Sequence, residues 1–344
     1  DQVEDLAISH DHRLLATVGF DGHCALWNIE TGERLTRVKP PRHQFRTVAF
    51  SPARLQLVTG DSQGSVSFWN PNDLEVPLKS IKHGPAVKRV RFSDDGSRVL
   101  SFGAKGAVRV WDVNSEELVA EFASGPQGAN SAIFSHDGTK VAIGGNQGIL
   151  RIWSLTEKDP ILVFNNGPEG DLEPIQTLCL TADDNRIAIA GGHGFYRIVS
   201  VDEGKILHEN YSYQGLLGSA LFLRDENYLV CTGTTRSLEV YDLENAHVLS
   251  SYTTHRLGAG TAILSHDLRM LAVASGDGTT KLLDSARLRE PQILWHDSPA
   301  RQIKFSDDGG SIFSLGAQSE IKQFDLRSGE SKIVMEGLES GVKS

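Results

Sequence analysis

The sequence predicts an all-β chain, an eight-bladed β-propeller of four-stranded antiparallel blades, and three observations predict it. An apolar residue, usually followed by Ser or Thr, recurs at Ile8, Phe50, Phe92, Phe134, Leu180, Phe222, Leu264 and Phe305, with spacings of 42, 42, 42, 46, 42, 42 and 41. A second aromatic or apolar position, 19 residues further on, recurs in step at Trp27, Trp69, Trp111, Trp153, Val199, Tyr241, Leu283 and Phe324. A period of about 40 to 45 residues is that of a four-stranded blade. Within each period, short apolar-rich runs alternate with turn residues. In residues 88–121 the runs KRVRF, RVLSFG, AVRVWDV and LVAEF are separated by SDDGS, AKG and NSEE.

Each element has a local reason. The first turn uses Asp and Gly, which tolerate turn geometry or bond their own backbone. The second places glycine at Gly22, Gly64, Gly106, Gly148, Gly194 and Gly278, where positive φ is wanted, with Arg236 and Ser319 as the exceptions. The third uses Thr31-Gly32-Glu33, Asn114-Ser115-Glu116-Glu117 and Arg327-Ser328-Gly329. A single 1–344 domain follows, with blades at 1–40, 41–82, 83–124, 125–170, 171–212, 213–254, 255–296 and 297–338. Eight complete units favour one closed ring, which leaves no blade without a neighbour. The alternative is a seven-bladed ring plus one repeat of a tandem propeller. Phe50, Phe92, Phe134, Phe222 and Phe305 are expected to be buried.

The units FSDDGSRVLSFGAKGAVRVWDV and FSHDGTKVAIGGNQGILRIWSL resemble WD-repeat propellers, particularly the bacterial kind, and the resemblance covers essentially the whole chain. In that family a buried network joins a His before the first strand, an Asp in the second turn and the Trp. Here the His candidates are His43, His83, His255 and His296, and the turn Asp survives as Asp21 and Asp277. The resemblance also implies that partners dock on the face bearing the entry loops and second turns. The matching positions lie six and four residues before the first landmark and two before the second-turn glycine. They include Gln44, then Glu4, Arg46, Lys88 and Arg301, then Phe20. Blades 8, 1, 2 and 3 thereby present three cations and a phenylalanine, whereas blades 5 to 7 present small or apolar residues.

Composition narrows the function. Thirty-four basic against 44 acidic residues give a net charge of −10, which disfavours nucleic acid as a partner. Cys24, Cys179 and Cys231 are odd in number and far apart, fitting a reducing, cytoplasmic compartment without a disulfide framework or thiolate zinc site. No apolar run is long enough to span a bilayer, and the opening stretch DQVEDLAISH lacks the basic flank and hydrophobic stretch expected of a signal peptide. With Asp at position 1, the chain is expected to be a domain of a longer protein. Ser-His-Asp occurs at residues 9–11, 135–137 and 265–267, always in one turn, where consecutive side chains diverge instead of converging as a triad must. His10, His12 and His23 lack the spaced carboxylates or thiols of a metal site. Gly258-Ala259-Gly260 lacks the third glycine of a dinucleotide fingerprint, and no phosphate-binding Gly-x-x-x-x-Gly-Lys occurs. Glu169, Asp171 and Glu173 make the longer loop between blades 4 and 5 acidic, which reads as a solvated loop. The innermost strands carry acids only at Glu4 and Asp5.

The expected function is therefore a non-catalytic interaction scaffold or sensor within a larger bacterial signalling or defence protein, with no cofactor and no metal. Its partner is expected to be a protein offering an acidic segment, with no nucleic acid and no membrane, and the isolated domain is expected to be monomeric. The alternative is a propeller enzyme with a small-molecule site at the central channel.

Overall fold

The computed structural model describes residues 3–335, apart from 20–21, 39–43, 104–106, 126–127, 168–172, 212–214, 216, 224–225, 235–236, 246, 254–258, 266–268, 276, 285–291, 296–297, 307 and 319. Eight sheets of four antiparallel strands follow one another along the chain, each strand beside its sequence neighbour. The fold is an eight-bladed β-propeller. The first strands are Val3–Ile8, Phe45–Phe50, Val87–Phe92, Ala129–Phe134, Ile175–Leu180, Leu217–Leu223, Ala259–Leu264 and Ala300–Phe305. Among the described residues the only helical element is a single 3-10 turn, Gly192–Gly194.

Strand order explains the sequence pattern. Second strands such as Lys140–Gly145 are covered on both faces and read as nearly unbroken apolar runs, here Val141, Ala142 and Ile143. Fourth strands such as Leu118–Ala123 face water and lose that pattern. The second-turn glycines behave as expected where they are described. Gly64 has φ +75°, and a Cβ there would lie 2.0 Å from the Gly84 carbonyl oxygen, so only glycine fits. Gly106 lies outside the described residues.

The chain forms two contact units, residues 1–92 with 263–344 and residues 93–262. In the first unit, Val3, Leu6 and Leu15 of blade 1 pack with Phe313, Leu315, Ile321, Val334 and Met335 of blade 8. The eighth repeat is thus seated against the first, not detached for another ring. A second cluster joins Val18 and Leu26 of blade 1 to Phe45, Val48 and Trp69 of blade 2. In the second unit, Leu100, Phe102 and Phe122 of blade 3 pack with Ala132, Val141 and Ile143 of blade 4. Further clusters join blade 4 to blade 5 and blade 5 to blade 6.

The landmark phenylalanines divide. Phe50 and Phe222 are buried at 9% and 7% exposure, but Phe92, Phe134 and Phe305 are only half-buried, against expectation. These three end their strands at the first turn, as Phe50 does, and are covered less fully there. Phe222 is better covered because its strand runs one residue further, to Leu223, and the Arg186 guanidinium lies 5.9 Å from its ring centre. The second landmark is the more reliable core position, with Trp69, Trp111, Val199, Tyr241, Leu283 and Phe324 all buried.

The tryptophans are held by a hydroxyl on the second strand. Trp27 Nε1 donates to Thr17 Oγ1 at 3.1 Å, Trp69 to Thr59 Oγ1 at 2.9 Å and Trp111 to Ser101 Oγ at 2.7 Å. In blade 4 the equivalent position is Ile143, and Trp153 Nε1 is buried with no hydrogen-bond partner among the described residues. Of the expected histidines, His83 is fully buried, and His43, His255 and His296 lie outside the described residues, as does Asp21. Asp277 bonds within its own turn, accepting from the Thr279 hydroxyl at 2.6 Å.

Two stability measurements follow. Thr59→Val keeps the shape but leaves the Trp69 N–H without an acceptor, and denaturant unfolding should show a loss of about 1–3 kcal/mol. Phe102→Ala, at a position 2% exposed, should cost about 3–5 kcal/mol, whereas Phe92→Ala, at the half-open strand end, should cost clearly less. Equal losses for the two would show that strand-end rings contribute as much as the inter-blade core.

Candidate functional site

The site grows from an irregularity that repeats. In six blades the pairing of first and second strands slips by one residue, between Val3 and Asp5, Phe45 and Thr47, Ala129 and Ser131, Ile175 and Thr177, Leu217 and Ser219, and Ala300 and Gln302. The residue lifted out of the ladder is Glu4, Arg46, Asn130, Gln176, Gly218 or Arg301. A β-bulge leaves its extra residue unpaired and re-aims the side chain. In these six blades the position four residues before the landmark is therefore displaced from the sheet by backbone geometry.

Five of the six expected contact residues are described, all in the first unit; Phe20 lies outside the described residues. Arg46 Nη1 donates to Glu4 Oε1 at 2.8 Å, forming a half-buried ion pair between blades 1 and 2. The other Glu4 oxygen, Oε2, is buried without a hydrogen-bond partner among the described residues. Lys88 and Arg301 are exposed. Lost solvation lowers the Lys88 ammonium below its ordinary pKa, and the neighbouring Arg89 charge lowers it further. Gln44 is half-buried and fixed by its backbone, its N–H donating to Ser62 Oγ at 3.1 Å and its carbonyl accepting from Ser62 N–H at 2.9 Å.

Beneath this tier lies a second one, built on Asp5. Its carboxylate is 4% exposed. Oδ2 accepts from the Thr47 hydroxyl at 2.8 Å and from Val48 N–H at 3.1 Å, both on blade 2. Oδ1 accepts from Gln302 Nε2 of blade 8 at 2.8 Å, from its neighbour Leu6 N–H at 3.1 Å and from Arg89 Nη1 of blade 3 at 3.2 Å. One carboxylate thus ties together the first strands of four blades. Thr47 repeats the pattern by accepting from Val90 N–H at 3.3 Å, and in the second unit Ser219 Oγ accepts from Ala262 N–H at 3.2 Å. Arg89, Arg91, Gln302 and Lys304 escaped the sequence reading because innermost strands were searched for acids alone. Their signal was present: every residue three places before a landmark is polar, and those one place before it are cationic only at Arg91 and Lys304.

With the repeat geometry established, comparison with known proteins becomes informative. A family model described as WD domain, G-beta repeat matches residues 1–28 and 75–112. Two segments of this propeller match WD repeats. It is 24% identical over 98% of its length to mouse (Mus musculus) telomerase protein component 1, of which it spans 13%. It is 34% identical over 27% of its length to eukaryotic translation initiation factor 3 subunit I of Coccidioides immitis, again spanning 27% of that protein. Among solved structures, the C-terminal WD40 domain of Sif2 superposes with a TM-score of 0.78 at 19% identity, covering 94% of this chain and 95% of that one. The computationally designed Ika8 protein gives 0.80 at 19% identity, covering 94% and 96%. These two structures share the fold.

In this WD-repeat chain the Ser-His-Asp tripeptides are turn locks. Ser9 and Ser135 donate to Asp11 and Asp137 at 2.6 Å, and Ser93, Thr181 and Ser306 do the same with Asp95, Asp183 and Asp308 at the same distance. The serine proton therefore points to the carboxylate, not to the imidazole. His136 instead turns its Nδ1 to Asp184 of the next blade at 2.9 Å. His266 and Asp267 lie outside the described residues. His12 faces Asp308 at 3.9 Å and His23 faces Arg37 at 3.0 Å. Among the described residues no three His, Cys, Asp or Glu side chains are placed to hold a metal ion. Ala259 already begins a strand, so the Gly258-Ala259-Gly260 segment leads into a sheet. Of the acidic loop, Glu173 is described and Glu169 and Asp171 are not.

The turn locks carry a pH signature. Hydrogen bonds from the Ser135 hydroxyl, from Thr139 N–H and from the Thr139 hydroxyl lower the Asp137 carboxyl from 3.8 to about 2. A carboxyl depressed on folding stabilises the fold fully above its unfolded value and loses that contribution as pH falls toward the folded one. The stability difference between wild type and Asp137→Ala should therefore be constant near neutrality. It should shrink as pH falls from about 4 to about 2, read by urea unfolding at each pH; a difference that persists at pH 2 would refute the charged-turn account.

Proposed function

We propose that this WD-repeat chain is a non-catalytic protein-interaction module, a scaffold or sensor within a longer cytoplasmic protein. In this reading it is monomeric in isolation and receives an acidic segment of a protein partner. The observation that carries the reading is the repeated bulge. It lifts Arg46 and Arg301 out of their ladders on blades 2 and 8, and Lys88 holds the matching sequence position on blade 3, with Lys88 and Arg301 exposed. Exposed cations on neighbouring blades steer an acidic partner and fix its orientation, while arginine supplies planar, multi-donor contacts. Arg46 already holds Glu4, so the exposed Lys88 is the primary contact, with Arg46 and Arg301 beside it. The net charge of −10 opposes nucleic acid. Three free cysteines, two of them buried, suit a reducing compartment. The small share of the mouse relative that the chain spans, 13%, supports its role as one module among others.

The test is affinity capture from the native cell with the full-length protein, wild type against Lys88→Glu/Arg301→Glu. Recovery of the specific partner should fall at least tenfold and its association should lose salt dependence, with the melting temperature almost unchanged. Glu116→Lys/Glu117→Lys, on the third turn of blade 3, should leave recovery intact. Full recovery by the first variant, with loss on changing Glu169 and Asp171, would move the site to the loop between blades 4 and 5.

A further inference from the structure

Three cations of the first unit crowd the buried Asp5 carboxylate. Arg89 Nη1 touches it at 3.2 Å. Arg91 and Lys304 sit one residue before the landmarks of blades 3 and 8 and, among the described residues, form no hydrogen bond or close ion pair. Both side chains are reached by solvent, yet protein surrounds them closely enough that lost solvation is the main influence lowering both pKa values. The Arg89 charge adds to that lowering in both, and Arg91 adds to it in Lys304, while Asp5 opposes it in each. Gln302 and Arg89 both donate to Asp5 Oδ1, so the first strands of blades 8 and 3 converge there, with Lys304 and Arg91 two residues further along each. Three cations against one carboxylate leave two uncompensated positive charges there, in a chain whose net charge is −10.

Such a surplus opposes folding unless something answers it, because like charges held close together repel. Asp5 cannot answer it alone, since its two oxygens already accept five hydrogen bonds. Lys304 and Arg91 lie three residues along the strand from the Arg301 and Lys88 tier, about 10 Å away at the usual strand rise. That separation keeps them apart from the protein-docking tier. Two guanidinium groups and an ammonium present planar donor forks and a point charge, the set that matches tetrahedral oxyanions with several acceptor oxygens.

We propose that the first-strand edge of this unit binds a small multivalent phosphate, held by Arg89, Arg91 and Lys304 around Asp5. The site is separate from the protein-docking tier, and neither reading requires the other. Occupancy neutralises the surplus charge and so stiffens the first strands of blades 8, 1, 2 and 3 together.

Isothermal titration of the chain with sodium tripolyphosphate, at low and at moderate salt, tests this directly. The expected result is saturable one-to-one binding, weakened at least tenfold by Arg91→Gln and by Lys304→Gln, restored in part by Lys304→Arg and unchanged by Lys332→Gln on an outer strand. The two glutamine variants should fold, with melting temperatures in the absence of phosphate equal to or above wild type, because each removes repulsion; tripolyphosphate should then raise the wild-type melting temperature and not theirs. Absence of saturable binding would overturn the proposal. So would affinity unaffected by either glutamine variant, or citrate binding as tightly as tripolyphosphate, which would mark an unselective cationic cluster.

Discussion

The first strand of a blade has a partner on one side only, and the donors on its other edge must find acceptors without a neighbouring strand. Here side chains supply them. Asp5 accepts the Val48 N–H, Thr47 accepts the Val90 N–H, and Ser219 accepts the Ala262 N–H, so one blade's side chain completes the next blade's backbone. This bond sets the spacing between consecutive first strands, and with it the packing of the apolar second strands behind them. It also explains why a buried carboxylate is tolerated at Asp5: five donors from four blades surround it.

The bulge and the inter-blade bond are two parts of one arrangement. Extruding Glu4, Arg46 or Arg301 rephases the strand, so that the residue before the bulge and the second residue after it both face the core, as Val3 and Leu6, Phe45 and Val48, and Ala300 and Ile303 show. The residue between, Asp5 or Thr47, is left pointing where it can reach the next blade. A scaffold surface and a structural fastening thus come from the same irregularity. Substitutions at the extruded position change the surface at little cost, whereas substitutions one residue later disturb the fastening.

The described turns do not assemble a catalytic triad. The repeated Ser-Asp pairs, which invite a catalytic reading in one dimension, spend both partners on closing a turn. Among the described residues, the first-strand edge of the first unit gathers charged groups from blades 8, 1, 2 and 3, and it gathers mostly cations, a local excess of positive charge in an acidic chain.

Period, strand count and turn chemistry were legible in the sequence, because each depends on residues close together in the chain: a glycine such as Gly64 must take positive φ, and an Asp two residues after a Ser must meet it in a tight turn. The core side of the second landmark was legible for the same reason, since a repeat of fixed length carries each such residue to the same depth. Tertiary structure alone decided the rest. The half-open setting of Phe92, Phe134 and Phe305, against the buried Phe50 at the same strand end, depends on how neighbouring parts of the fold cover each ring. The pairing of Arg46 with Glu4 spans 42 residues, that of Asp5 with Arg89 spans 84 and that of Asp5 with Gln302 spans 297. No local pattern encodes such partners, because they meet only when successive blades bring their first strands side by side.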